Sequence, residues 1–213
     1  MDSISPAPLL RGAALRTALA AVPARDRDAW VDGALGVGAP PDDGPALPRG
    51  CVPYLPAPVD ALLRLTEHAQ VRASDVFVDV GAGAGRAAAL VHLLTGASVV
   101  GLEIQPQLVA AARELAARLT LSRVSFVEGD APRLTAALAE GSVFFLYCPF
   151  SGQRLAELLA NLERVGRSRE IRVCCLDVPL PPCPWLVPLP ARWPDLQLHR
   201  SLPGRIGRTR GTR

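Results

Sequence analysis

The stretch VFVDVGAGAGRAAALV, residues 76–91, decides the fold. Val76, Phe77, Val78 and Val80 surround a single acid, Asp79, and three glycines follow at Gly81, Gly83 and Gly85. A short apolar run bounded by glycines reads as a buried strand that ends in a tight loop, and RAAALVHLL after it reads as a helix. Glycines at that turn let the backbone come close to a ligand, and the amides at the helix start point toward it.

The pattern repeats on both sides of this unit. A helix, APVDALLRLTEHAQ (57–70), precedes the strand DVFVDV (75–80), and the helix GRAAALVHLLTG (85–96) follows it. Strand SVVGLEI (98–104), helix PQLVAAARELAARL (106–119), strand RVSFVEGD (123–130) and a short helix near 132–139 come next. Strand SVFFLYCPF (142–150), helix SGQRLAELLANLERVG (151–166) and strand REIRVCCLDV (169–178) close the series, and DLQLHRS (195–201) offers one edge strand. Strands apolar at consecutive positions, alternating with amphipathic helices, predict a doubly wound α/β fold. Its mostly parallel sheet carries helices on both faces.

Before this run, residues 8–22 and ARDRDAWVDGAL (24–35) predict a small N-terminal helical appendage, and GVGAPPDDGPALPRG (36–50) reads as a linker. The expected organisation is a cap and linker over 1–49, a ligand-binding α/β domain over 50–202 and a basic tail over 203–213. The tail GRIGRTRGTR concentrates Arg205, Arg208, Arg210 and Arg213 and reads as a solvated end. The Pro-rich stretch 179–194, with Trp185 and Trp193, is either a rigid cover over the substrate side of the site or an irregular crossover to the last strand.

Composition removes several function classes. All 23 basic residues are arginine, so a phosphate-binding P-loop, which needs its lysine, and a pyridoxal Schiff base are excluded. Cys51, Cys148, Cys174, Cys175 and Cys183 form no C-x-x-C pair, and His68, His92 and His199 are far apart. Neither a metal site nor a disulfide framework is expected, and buried thiols fit a cytoplasmic protein. The apolar run LLRGAALRTALAAV is cut by Arg11 and Arg16, so no signal peptide or spanning helix is expected. A net charge of +3 carries no clear nucleic-acid signal, and the oligomeric state is not readable.

The glycine loop alone leaves two cofactors open, because GAGRAA (83–88) satisfies a relaxed nicotinamide fingerprint. The spacing of Asp79, Gly81, Gly83 and Gly85, D-x-G-x-G-x-G, resembles motif I of the class I S-adenosyl-L-methionine-dependent methyltransferases. An acid suits a ligand that carries an ammonium and a sulfonium, and it would repel a pyrophosphate. Glu103 ends the second strand, with Ile104 beside it, and a carboxylate there can accept from both ribose hydroxyls of either cofactor. The resemblance implies that Asp130 accepts from the adenine amino group and that Ala131 adds a backbone amide. It likewise implies that Ala82 belongs to the cofactor loop.

FFLYCPF, ending the fourth strand, resembles the family's acceptor-side motif, which makes Tyr147, Pro149 and Phe150 the candidate catalytic wall. Cys148 departs from it, standing where nucleobase amino-methyltransferases place Asn or Asp. Upstream, CVPYLPAPVDALL (51–63) places Tyr54-x-Pro56 before the helix, similar to lysine methyltransferases of an ATP-synthase subunit and, more distantly, to non-SET histone lysine methyltransferases. Tyr54 therefore joins the cofactor-side candidates. The resemblance spans residues 50–175 and implies a Rossmann-like methyltransferase acting on an N or O acceptor, a small molecule or a protein lysine among them. The alternatives are an NAD(P)-dependent oxidoreductase and a catalytically silent binder of the same cofactor.

Overall fold

The computed structural model describes residues 9–42, 47–48, 50–190 and 192–204. The basic tail from Arg205 onward and the middle of the linker lie outside the described residues. Two helices, α1 (Gly12–Ala21) and α2 (Arg27–Leu35), precede α3 (Val59–His68). Then follow β1 (Val76–Val80), α4 (Arg86–Thr95), β2 (Ser98–Glu103), α5 (Pro106–Arg118) and β3 (Val124–Glu128). The chain continues through α6 (Thr135–Glu140), β4 (Val143–Tyr147), α7 (Gly152–Ser168), β5 (Arg172–Leu176), β6 (Leu186–Pro188) and β7 (Leu196–Ser201).

One seven-stranded sheet has the order β3-β2-β1-β4-β5-β7-β6, with β1 to β5 parallel and β7 antiparallel to both β5 and β6. This is the doubly wound, Rossmann-like α/β architecture that the alternation of elements predicts. Successive strand residues enter opposite layers: Phe77, Val99 and Phe145 join the layer of α3, α4 and α5, whereas Val78, Leu102 and Phe144 join that of α6 and α7. Burial on both faces is why the strands read as continuous apolar runs.

Two expectations at the far edge change. DLQLHRS forms β7, but it is an inner strand, and the outermost position belongs to β6 inside the Pro-rich stretch. Only three residues long and containing Pro188, β6 gave no alternation to read, and a proline is tolerated there because an edge strand leaves amides unpaired. The short helix near 132–139 divides into a 3-10 turn, Ala131–Arg133, and α6.

The N-terminal helices pack into the main core. Leu15, Leu19, Val31 and Leu35 are buried in the same apolar cluster as Leu62, Leu90 and Leu93, with α1 against α4 and α2 against α3. His92 is buried within α4, its Nδ1 2.8 Å from the Ala97 carbonyl and its Nε2 3.4 Å from Arg11, so it fulfils a packing role. Among the described residues no helix is long and apolar enough to cross a membrane.

Candidate functional site

Strand order reverses between β1 and β4, and such a switch point leaves a crevice beyond the carboxyl ends of the strands. The cleft found there is lined by Gly81 after β1, Glu103, Ile104 and Gln105 at the end of β2, and Gly129, Asp130 and Ala131 after β3. Tyr147, Cys148, Pro149 and Phe150 at the end of β4 complete its floor. Residues 51–55 form a strap across it, held by an isolated bridge between Cys51 and Phe150 and by Ser151 N donating to Gly50 O at 3.0 Å.

Asp79 lies below this cleft, between Gly101 of β2 and Phe145 of β4. Its side chain is buried and, among the described residues, its Oδ2 has no hydrogen-bond partner. Burial, with a smaller contribution from the charge of Glu103, pushes its carboxyl up to about 7. An unpartnered carboxylate in an apolar strand is costly, and a cation above it would relieve that cost.

The glycines divide the work differently from one another. Gly81 lines the cleft and a Cβ there would stand 3.0 Å from the Pro149 Cβ. Gly83 has φ +53°, and a Cβ on it would fall 2.1 Å from the Tyr54 ring, so the missing side chain is the seat of that ring. Gly85 does not line the cleft. A Cβ there would meet Phe126 at 2.7 Å and Ala112 at 2.9 Å, so it lets α4 approach α5 and β3. Ala82 is buried and ties the loop to β2, its amide donating to the Leu102 carbonyl at 3.0 Å.

Glu103 differs from the expectation of a carboxylate open to two hydroxyls. Its Oε2 accepts from Gly83 N at 2.9 Å, and its Oε1 accepts from both Ile104 N at 2.8 Å and Gln105 N at 2.9 Å. The carboxylate is thus the tie between the glycine loop and the turn after β2. A further donor has room only at Oε2, since each carboxylate oxygen takes about two.

Asp130 is likewise engaged, its Oδ1 accepting from Arg154 Nη1 at 2.5 Å and its Oδ2 lying 3.7 Å from Arg133 Nε. Sequence reading missed Arg154, which lines the same cleft. A signal existed: an arginine in the first turn of α7 opposes the helix dipole, so it needs an acid nearby.

On the far side, Tyr147 stands beside Asp177, which follows β5. Burial and then the Asp177 charge raise the Tyr147 phenol, and burial raises that of Tyr54, so neither serves as a base at neutral pH. Cys148 and Asp177 both adopt left-handed backbone, φ +42° and +53°, and the Cys148 thiol donates to the Asp177 carbonyl at 3.2 Å. Among the described residues, none of the Pro-rich stretch 179–194 lines this cleft. Trp185 packs against Gly166 of α7, and Trp193 lies under the Arg64 guanidinium, 5.3 Å from its ring centre. The stretch carries the edge strand β6 and leads into the inner strand β7.

Residues 77–168 match a family model described as a methyltransferase domain. The crystal structure of an RNA methyltransferase from Salinibacter ruber in complex with S-adenosyl-L-homocysteine is similar to this chain, with 26% identity over 72% of this chain and 97% of that one and a TM-score of 0.57. A variant of MtNAS in complex with S-adenosylmethionine shares the fold at 14% identity, covering 68% of this chain and 63% of its own, with a TM-score of 0.55. No curated protein sequence matches the chain. Residues 77–168 are thus similar to a methyltransferase domain, and they lie on a Rossmann-like sheet.

The seat of Tyr54 gives a direct test. Gly83→Ala places a Cβ inside the ring and forces a side chain into left-handed backbone, and the expected loss is about 1–3 kcal/mol of stability in urea unfolding. An unchanged midpoint would mean that the ring does not rest on the loop.

Proposed function

We propose that the protein moves a methyl group from S-adenosyl-L-methionine to an amine, with a protein lysine side chain as the acceptor class. The observation that carries the cofactor assignment is the buried, unpartnered Asp79 Oδ2 beneath a glycine loop. Those residues fit a cationic ligand, and they oppose the pyrophosphate of a nicotinamide dinucleotide. When bound, S-adenosyl-L-methionine supplies an electrophilic methyl group on its sulfonium.

The chain's own residues then have distinct tasks. Asp79 with the loop of Gly81, Ala82 and Gly83 receives the ammonium end, Gly85 lets the following helix pack close behind that loop, Glu103 offers Oε2 to a ribose hydroxyl, and Ile104 flanks the ring. Asp130, steadied by Arg154, accepts from the adenine amino group, and Ala131 presents its amide. Tyr54, Tyr147, Pro149 and Phe150 wall off water at the acceptor side, because an amine must be neutral to attack and a desolvated wall lowers its pKa. Asp177, exposed beside Tyr147, takes the proton that the amine releases.

The similarity to lysine methyltransferases in 51–63 and the acid at 177 favour a protein amine. A second reading, an RNA base, draws on the Salinibacter ruber relative. It is weakened by Cys148, whose thiol turns to the Asp177 carbonyl where a base amino group would need an Asn or Asp.

Incubation of a cell lysate with a tritiated methyl donor separates them. The expected label is removed by protease, and label removed only by ribonuclease would overturn the amine reading. Asp177→Asn is expected to slow transfer about tenfold or more at neutral pH, the usual scale of one acid-base group. Its affinity for S-adenosylhomocysteine is expected to stay unchanged.

A further inference from the structure

The cluster around Arg86 lies apart from the cleft, and none of the roles above uses it. Arg86 is the first residue of α4, immediately after Gly85, and its side chain is only 4% exposed. A buried guanidinium needs every donor placed, and here α2 and the segment leading into α3 supply the acceptors. Nε donates to Asp32 Oδ1, Nη2 donates to Asp28 Oδ1 at 2.8 Å, and Nη1 donates to the Ala57 carbonyl at 2.8 Å. Asp28 Oδ1 also accepts from Val59 N at 3.1 Å, serving the first amide of α3. Both acids belong to α2, outside residues 77–168 that match the methyltransferase domain.

Ala57 closes the strap whose Tyr54 ring rests where Gly83 has no side chain. The glycine loop is thus gripped from three directions. Glu103 holds the Gly83 amide from β2, Tyr54 covers Gly83 from the strap, and Arg86 fixes the helix start behind Gly85. Arg86 also joins the last two grips, because one guanidinium binds both the strap and α2.

We infer that α2 is part of the cofactor site's machinery: Asp28 and Asp32 are positioning residues that, through Arg86, hold the glycine loop and the Tyr54 strap in the conformation that binds S-adenosyl-L-methionine. This rests on the cofactor reading given above. The coupling is reciprocal, so a cofactor that orders the loop also orders α2.

Hydrogen exchange on the full chain, with and without saturating S-adenosylhomocysteine, reads this coupling. The expected result is slowed exchange at residues 27–35 and 54–59 together with 81–86. Binding that slows 81–86 and leaves 27–35 unchanged would overturn the inference while sparing the cofactor reading, and absence of any binding would overturn both. The variant Asp28→Asn/Asp32→Asn separates positioning from mere support, since both side chains are about half exposed and their replacement removes charge without volume. Calorimetric titration below its unfolding temperature is expected to show affinity for S-adenosylhomocysteine reduced about tenfold, the common scale of coupling between sites. A lowered melting temperature with unchanged affinity would assign these acids to stability alone.

Discussion

Replacing Asp79 by asparagine is expected to make the protein more stable at pH 8 and poorer at holding its cofactor. The carboxyl lies fully inside the sheet, Oδ2 meets no donor among the described residues, and burial moves its pKa from 3.8 to about 7. A folded-state pKa above the unfolded one means that the proton favours the fold. The associated stability is complete below about pH 4 and is lost as pH rises through 7, in all on the order of 4 kcal/mol at 1.36 kcal/mol per unit. Asparagine cannot ionise, so urea unfolding of Asp79→Asn should lack that pH dependence and exceed the wild type above pH 7. Ligand binding should respond in the opposite sense. An ammonium above Asp79 selects the ionised form, so wild-type affinity for S-adenosylhomocysteine should climb about tenfold per pH unit up to 7 and then level. Asp79→Asn should be weaker at pH 8 and flat in this range. Identical pH profiles for the two proteins would remove Asp79 from the site.

Glu103→Ala is expected to damage the fold and the site together. Three backbone amides, those of Gly83, Ile104 and Gln105, depend on that one carboxylate. A buried amide without a partner costs about 1–3 kcal/mol, so the loss should be on the order of 3 kcal/mol or more in urea unfolding. Glu103→Gln keeps one carbonyl oxygen and should fall between. The same change removes the second cause of the raised Asp79 carboxyl, so the pH at which cofactor affinity levels should move down in Glu103→Gln. A Glu103→Ala protein as stable as wild type would show that the loop is held in some other way.

The sheet was legible because its signal is local. Apolar runs broken by glycines and proline-led helices such as the one opening at Pro106 mark strands and helices residue by residue. The short strand β6 was not, since Leu186–Pro188 has no period to read and pairs with β7 only through the folded crossover. The candidate cleft was legible in part: Gly81, Glu103, Asp130 and the Tyr147–Phe150 run line one cleft. Their partners were hidden. That Glu103 holds the Gly83 amide, that Asp130 binds Arg154, and that Arg86 reaches back to Asp28 and Asp32 are contacts between residues 20 or more apart in the chain. Sequence spacing carries no trace of them. Only the unfavourable position of Arg154 in a helix's first turn hinted that an acid had to lie near it.

The Asp79 pH profile and its shift in Glu103→Gln share one premise, that negative charge buried under a glycine loop receives a cation. Titration calorimetry of the full chain with S-adenosylhomocysteine and, separately, with NAD and NADP at pH 6, 7 and 8 tests it most directly. The expected result is a single site for S-adenosylhomocysteine whose affinity strengthens from pH 6 to 7, with no heat from either dinucleotide. Binding of NAD or NADP with none of S-adenosylhomocysteine would contradict the account.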